Sequence, residues 1–269
     1  MGRRHDTISF LSDYGRADEF VGVVTSVIRS VAPHVTVVDI VHDLTPHDVR
    51  AGALALVRSV QYLCPGVVLA VVDPGVGTER RLVAVEVGDG EGVFVAPDNG
   101  LVAAAVSMVG GAGRAVSLTN TEYHLPAPGP TFAGRDILAP VAAQLCNGVD
   151  LADLGELIDP ITLRPGLVPL PREEDGALHC EVLWVDRFGN IQLNVGPEEI
   201  EALGERVRLR FRDQARIAVP ALTYGALPPG QIGLVVDSYG LVSVVFDRRS
   251  AADELGLSAG AAVALEKPE

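Results

Sequence analysis

An aspartate and an arginine seven residues apart carry the first sign of chemistry. The apolar run Val67–Val72 stops at Asp73, and Pro74, Gly75, Val76, Gly77, Thr78, Glu79 and Arg80 follow. Pro74 stops any helix and withholds a backbone donor. Gly75 and Gly77 permit a tight turn or close approach to a ligand. Such a loop can fold the Arg80 guanidinium back onto the Asp73 carboxylate, at the strand end where open α/β sheets bind ligands. A surface turn with an ion pair would use the same residues. Three more acidic loop positions stand out: Asp13, Asp18 and Asp186. Asp13 and Asp18 sit where a strand turns into a helix, and a carboxylate there can accept ribose hydroxyls or hold an ammonium. Asp18 would equally serve as a helix cap. Asp186-Arg187-Phe188-Gly189-Asn190 lies between two strands. Asp with Gly signals a hairpin, yet Phe188 could stack on a base while Asn190 supplies the donor and acceptor an adenine edge requires.

Other chemistries lack their residues. Gly75 and Gly77 have no third glycine, no first-strand position and no following Gly-Lys-Ser/Thr, which excludes the dinucleotide and phosphate-loop fingerprints. The six histidines show no metal pairing; His42 and His47 are five apart with a proline between them. Ser12 and Ser238 lack the nucleophile-elbow pattern. A net charge of -14 and a pI near 4.8 argue against a nucleic-acid partner. Cys64, Cys146 and Cys180 are far apart and odd in number, so a reducing cytoplasm is expected. The start, with Arg3 and Arg4 running into polar residues, does not suit a signal peptide. No apolar run reaches a membrane span.

The elements that must position these residues follow from periodicity. The length of 269 residues fits one large or two modest domains. Thr7–Leu11 predicts a strand and Asp18 begins a helical pattern ending at Pro33. Val35–Val41 predicts a strand buried on both faces. Thr45 and Pro46 predict the cap and first residue of a helix continuing over Ala51–Leu63. Strands are expected at Val67–Val72, Leu82–Val87 and Gly92–Ala96, with an edge strand at Ala115–Leu118 and helices at Leu101–Met108 and Gly134–Gln144. The alternation predicts an α/β, Rossmann-like N-terminal domain with a mainly parallel sheet over residues 1–160. The proline-rich residues 161–176 read as a linker. Over residues 177–269 the period changes to two, which predicts a small all-β barrel. Its expected strands are Leu178–Val185, Ile191–Val195, Val207–Phe211, Ile217–Val219, Gly233–Val236, Leu241–Phe246 and Ala262–Leu265, with one helix near Ala251–Leu257.

Taken together, these stretches resemble the S-adenosylmethionine hydroxide adenosyltransferase family, related to the enzymes that fluorinate and chlorinate S-adenosylmethionine. The resemblance rests on Phe10-Leu11-Ser12-Asp13-Tyr14-Gly15 with Asp18, on Val38-Asp39-Ile40 with His42, Thr45 and Pro46, and on Val72–Thr78 with Arg80. It continues through Ala96–Gly100, Thr131-Phe132 with Gly134-Arg135-Asp136, Asp186 with Phe188-Gly189-Asn190, and Asp237-Ser238-Tyr239-Gly240. It implies hydrolysis of S-adenosylmethionine to adenosine and L-methionine, with no metal or separate cofactor, in a homotrimer whose sites lie between neighbouring subunits. Transfer of the adenosyl group to another nucleophile such as halide, or non-catalytic binding of adenosine, are the alternatives. By position, Asp13 resembles the ribose-binding residue, and Asp18 and Asp186 those facing the methionyl ammonium. Phe188 and Asn190 resemble the adenine contacts, Phe132 the residue beside the reacting carbon, and Ser238 one near the amino-acid or base end.

Asp73 and Arg80 match two members of the family's Asp-Arg-His triad. The third departs: where the family has Thr-Phe-His-Gly-Arg-Asp, this chain has Ala133. Either another group enters the gap, His124 being nearest in sequence, or Asp73 and Arg80 work alone. The second is expected, since a substitute imidazole must be placed to roughly half an ångström. A second departure is Phe246-Asp247-Arg248-Arg249, where the family more often has Asn beside small residues.

Overall fold

The computed structural model describes residue 2 and residues 4–268. The chain divides into two compact units, the first ending at Leu167 and the second beginning at Val168. The first holds strands β1 (Thr7–Ser12), β2 (Thr36–Val41), β3 (Val67–Val71), β4 (Leu82–Val87), β5 (Gly92–Pro97), β6 (Ala112–Ser117) and β7 (Glu156–Ile158). Their order is β2-β1-β3-β5-β4-β6-β7. The first four run parallel, and β4, β6 and β7 add antiparallel pairings. Helices α1 (Phe20–Val31), α2 (Val49–Ser59), α3 (Ala103–Met108) and α4 (Ala139–Cys146) cover both faces. Along β3, Val67, Leu69 and Val71 pack with α1 and α4, while Val68 and Ala70 face α2 and the segment entering α3. A strand covered on both sides is apolar at every position, which is why Val67–Val72 reads as a continuous run.

Several expectations are corrected. Residues Val35–Val41 are not buried on both faces: β2 is the sheet edge, and Thr36, Asp39 and Val38 are exposed. Conversely, the strand expected at the edge near Ala115–Leu118 is β6, which lies between β4 and β7. Thr45 and Pro46 do not start a helix. His47 takes a left-handed backbone with φ +68, and Asp48 caps α2 by accepting the Ala51 N–H at 2.8 Å. Asp18 does not cap α1, whose N-cap is Glu19 without a side-chain bond. The helix expected over Gly134–Gln144 begins as a π-helical turn, Gly134–Leu138.

The second unit holds β8 (Arg172–Glu174), β9 (Ala177–Val185), β10 (Ile191–Leu193), β11 (Val207–Phe211), β12 (Gln214–Pro220), β13 (Ile232–Val236), β14 (Val242–Val245) and β15 (Ala262–Glu266). The order β10-β14-β13-β12-β11-β15-β9 closes through a β9–β10 pairing into a barrel, and β8 adds outside β9. Closure removes the sheet edges. The interior is apolar, with Val182, Ile191, Leu193, Leu209, Val244 and Leu265 fully or almost fully buried. Helix α5 (Pro197–Leu203) was not expected, although Gly196, Pro197 and Glu198-Glu199 are a helix-start signature. Helix α6 (Ala251–Leu255) starts at Ser250, which accepts the Asp253 N–H, and ends at left-handed Gly256.

Two imidazoles, the buried His42 and the half-buried His124, link the fold to pH. His42 is fully buried, with Nδ1 2.7 Å from Ser12 Oγ and Nε2 3.2 Å from Asp39 Oδ1. Its carbonyl accepts the Gly15 N–H at 2.8 Å, so the residue ties the end of β2 to the loop after β1. Burial lowers its pKa, against the opposing pull of Asp39. His124 has a buried Nε2 without a hydrogen-bond partner, and burial lowers its pKa too.

Asp48→Ala should cost about 1 kcal/mol in urea unfolding, as loss of a capping side chain does, while Thr45→Ala should cost a few tenths at most; equal effects would contradict the Asp48 cap. Both imidazoles titrate lower when folded, so the unfolded chain binds more protons below the ordinary histidine value of about 6.5. Stability is therefore full above that value and is lost as pH falls through the folded values. His124→Leu should flatten the loss of urea midpoint between about pH 7 and about pH 5; an unchanged slope would remove His124 from it.

Candidate active site

Asp13 and Asp73 follow the C-terminal ends of β1 and β3, which are adjacent parallel strands paired at Ser12 and Val71. The Asp13 N–H donates to the Val71 carbonyl at 3.3 Å. The chain leaves β1 toward β2 on one side and returns to β3 on the other. The two aspartates thus stand at the topological switch point, where a crevice forms because the connections diverge.

The Asp73 loop folds as its residue types require. The Val76 N–H donates to the Asp73 carbonyl, and the Thr78 N–H and hydroxyl both donate to the Gly75 carbonyl. A Cβ at Gly75 would stand 2.9 Å from Arg80 Cδ, so glycine there is what lets the arginine return. Arg80 Nε lies 2.8 Å from Asp73 Oδ1 and 3.0 Å from Oδ2, and the terminal guanidinium nitrogen makes a second close contact with Oδ2. The Asp73 side chain is only 6% exposed. A forked, largely desolvated pair of this kind is both strong and geometrically fixed. Asn99 braces the strand end by donating to the Val72 carbonyl at 2.9 Å.

Asp73 opens on a cavity of about 220 Å³ shared with Asp13, Tyr14, His47, Thr131 and Ala133. Tyr14 is held there with its phenol pK raised, chiefly by burial and further by Asp13, Asp73 and Asp136. It stays protonated and can donate but cannot act as a base. A Cβ at Gly134 would fall on the Tyr14 hydroxyl, so the glycine admits the phenol. Phe132 does not line this cavity. It packs edge-on against Tyr14 and Phe20, with ring centroids at 5.6 and 5.2 Å, and Arg135 lies over it at 4.9 Å. Asp18 is exposed and does not line the cavity either. His124 is likewise absent from its wall. Ser12, which has no neighbouring base in sequence, meets His42 in space, but Ser12 is fully buried and so closed to a substrate.

In the second unit, Asp186, Phe188, Asn190 and Ser238 line one cavity of about 750 Å³. Asp186 Oδ1 accepts the N–H groups of Phe188 and Asn190, each at 2.8 Å, and Oδ2 accepts Asn190 Nδ2 at 2.7 Å. The turn is thus a hairpin built by its own aspartate, and it leaves Phe188 78% exposed. Sequence reasoning missed that a second loop repeats it. Asp237 Oδ1 accepts the N–H groups of Tyr239 and Leu241, and Gly240 takes φ +79 as Gly189 takes +83. The signal was legible as Asp, any residue, aromatic, Gly in both loops. Asp237 Oδ2 also accepts Gln192 Nε2 and the Ser243 hydroxyl, at 2.7 and 2.9 Å. Trp184 meets Tyr239 edge-on at 6.2 Å. Of the divergent stretch, Arg249 stacks over Phe246 and pairs with Glu254, while Arg248 is exposed with φ +55. No group of three or more His, Cys, Asp or Glu side chains suited to a metal occurs among the described residues, and no helix there is long and apolar enough to cross a membrane.

Comparison with known proteins gives the chain a family. Models of the SAM hydroxide adenosyltransferase N-terminal and C-terminal domains match residues 8–155 and 180–264. The chain is 44% identical over 253 residues to an (R)-S-adenosyl-L-methionine hydrolase of Salinispora tropica, covering 94% of this chain and 95% of that protein. It is 40% identical to one of Thermus thermophilus, covering 96% and 98%. A fluorinase of Actinoplanes is 27% identical, with 97% of each covered. The crystal structure of an uncharacterized conserved protein from Thermotoga maritima superposes with a TM-score of 0.88 at 30% identity, over 97% of this chain and all of that one. The chain belongs to the SAM hydroxide adenosyltransferase family.

Proposed function

We propose that this protein hydrolyses S-adenosylmethionine to adenosine and L-methionine by in-line attack of water on C5′. The observation that carries the reading is the Asp73–Arg80 pair, fixed at the wall of a cavity at the sheet's switch point. The hydrolase names of the Salinispora and Thermus relatives support it. A sulfonium is already a good leaving group, so the reaction asks only for a positioned water and a route for its proton. Asp73, held in one orientation by Arg80 through both carboxylate oxygens, orients that water. A carboxylate about 4 Å from a halide costs on the order of 4 kcal/mol at an effective dielectric near 20, which favours water over fluoride or chloride.

Within this reading Asp13 holds the ribose hydroxyls, and Asp18 and Asp186 face the ammonium. Phe188 and Asn190 take the adenine, Ser238 one end of the substrate, and Phe132 supports the reacting carbon from behind Tyr14. Residues 1–160 form the catalytic domain and residues 177–269 the second. The protein acts as a homotrimer in which one subunit's first domain meets the next subunit's barrel. Strand β2 supports assembly: it is a sheet edge with Val38 exposed, a surface that proteins normally cover or blunt. Three unpaired cysteines fit the cytoplasm.

Purified protein given S-adenosylmethionine should release adenosine and methionine in equal amounts, and Asp73→Asn should lower kcat by roughly 10²–10⁴ with affinity nearly kept. A 5′-halo-5′-deoxyadenosine as main product in excess halide, or full activity in Asp73→Asn, would refute the mechanism. Co-expressing Asp73→Asn with Asp186→Ala should regenerate intact sites, because cyclic assembly pairs unlike halves. Full activity in a species that native mass measurement finds monomeric would refute the shared site.

A further inference from the structure

We infer that His47 is the proton acceptor of this site, at the wall of the cavity it shares with Asp73 and Ala133. The inference rests on the hydrolytic reading above. Its first ground is position. Among the described residues lining the cavity with Asp73 and Ala133, His47 is the one imidazole. The cavity, of about 220 Å³, has room for water beside these wall groups.

The second ground is the backbone. His47 has φ +68, a region disfavoured for any residue with a Cβ. Two bonds hold it there: its N–H donates to Asp13 Oδ2 at 2.8 Å, and its carbonyl accepts the Val49 N–H at 3.1 Å. Asp48 then caps α2 immediately beyond. Among the described residues, five non-glycines have positive φ, and of these His47 is the one at this cavity. Strain kept at a cavity wall points to use rather than accident.

The third ground is elimination among the groups facing it. Asp73 is engaged by Arg80 through both carboxylate oxygens. Tyr14 keeps its proton. Asp13 already accepts the His47 N–H. Imidazole is the side chain whose ordinary titration falls nearest neutral pH. In the step, the water oxygen bonds to C5′ and the C5′–S bond breaks, its electron pair leaving with sulfur. The sulfonium becomes the neutral thioether of methionine. The water's proton passes to the imidazole, directly or through one water, and then to solvent.

The test uses His47→Asn, because Asn tolerates a left-handed backbone, and His47→Gly, which frees the backbone and removes the ring. For full-length protein, kcat and KM for S-adenosylmethionine are measured across pH. Wild type should lose kcat on the acid side, as the imidazole protonates. Both variants should lose kcat by about 10²-fold, the low end for an acid–base group, keep KM, and lose the acid limb. Added imidazole should restore turnover in His47→Gly but not in Asp73→Asn. Unchanged kcat, a loss confined to KM, or a loss with the acid limb intact and no imidazole rescue overturns the role of His47 while leaving hydrolysis standing. A wild-type protein that forms no adenosine overturns the hydrolytic reading and this role together.

Discussion

A carboxylate taken almost out of water must be paired or lose its charge, and the Asp73–Arg80 contact answers that constraint at the end of β3. Much of the first unit follows from it. The arginine reaches back only because Gly75 leaves room for its Cδ. The loop holds its shape through bonds from Val76 and Thr78 to the carbonyls behind them. Asn99, from the turn after β5, secures the strand end from the far side. The apolar strand beneath supplies the rigidity that a loop alone would lack.

The neighbouring strand contributes in a different way. β1 ends in Ser12, whose hydroxyl meets His42 from the exposed edge strand, and Gly15 bonds to the same histidine's carbonyl. Those bonds hold Asp13 and Tyr14 over the crevice. Arg16 and His42 outweigh the partial burial of Asp39 and keep its carboxyl below the usual range, so an ionised group faces the buried imidazole. The result is a polar brace at the edge of a sheet otherwise packed by apolar side chains.

The barrel solves its own positioning problem twice with one device. In each of two loops an aspartate at the end of a strand satisfies the N–H groups two and four residues on, and a left-handed glycine closes the turn. Each aspartate spends much of its hydrogen-bonding capacity on its own loop. The aromatic between aspartate and glycine, Phe188 or Tyr239, is thereby turned outward onto the cavity wall.

The sequence by itself determined the class of fold and the residue types of both sites. The doubly covered strands announce themselves as unbroken apolar runs, the barrel as a change of period to two, and Asp73 with Arg80 as a strand end followed by a glycine-rich return. Those signals are local, because each residue's neighbours in the chain set them. What only the tertiary structure decided depends on strands distant in sequence. Strand order placed β2 at the edge and β6 inside, so the more apolar of the two strands is the more exposed. The left-handed turn at His47 forms because Asp13, thirty-four residues earlier, accepts its N–H, which overrides the helix start that Thr45 and Pro46 suggest. His124, near Ala133 in the chain, is off the cavity, whereas His47, far from it in the chain, is on the wall. Sequence distance along loops carries no direction, and only the packed sheet converts it into position.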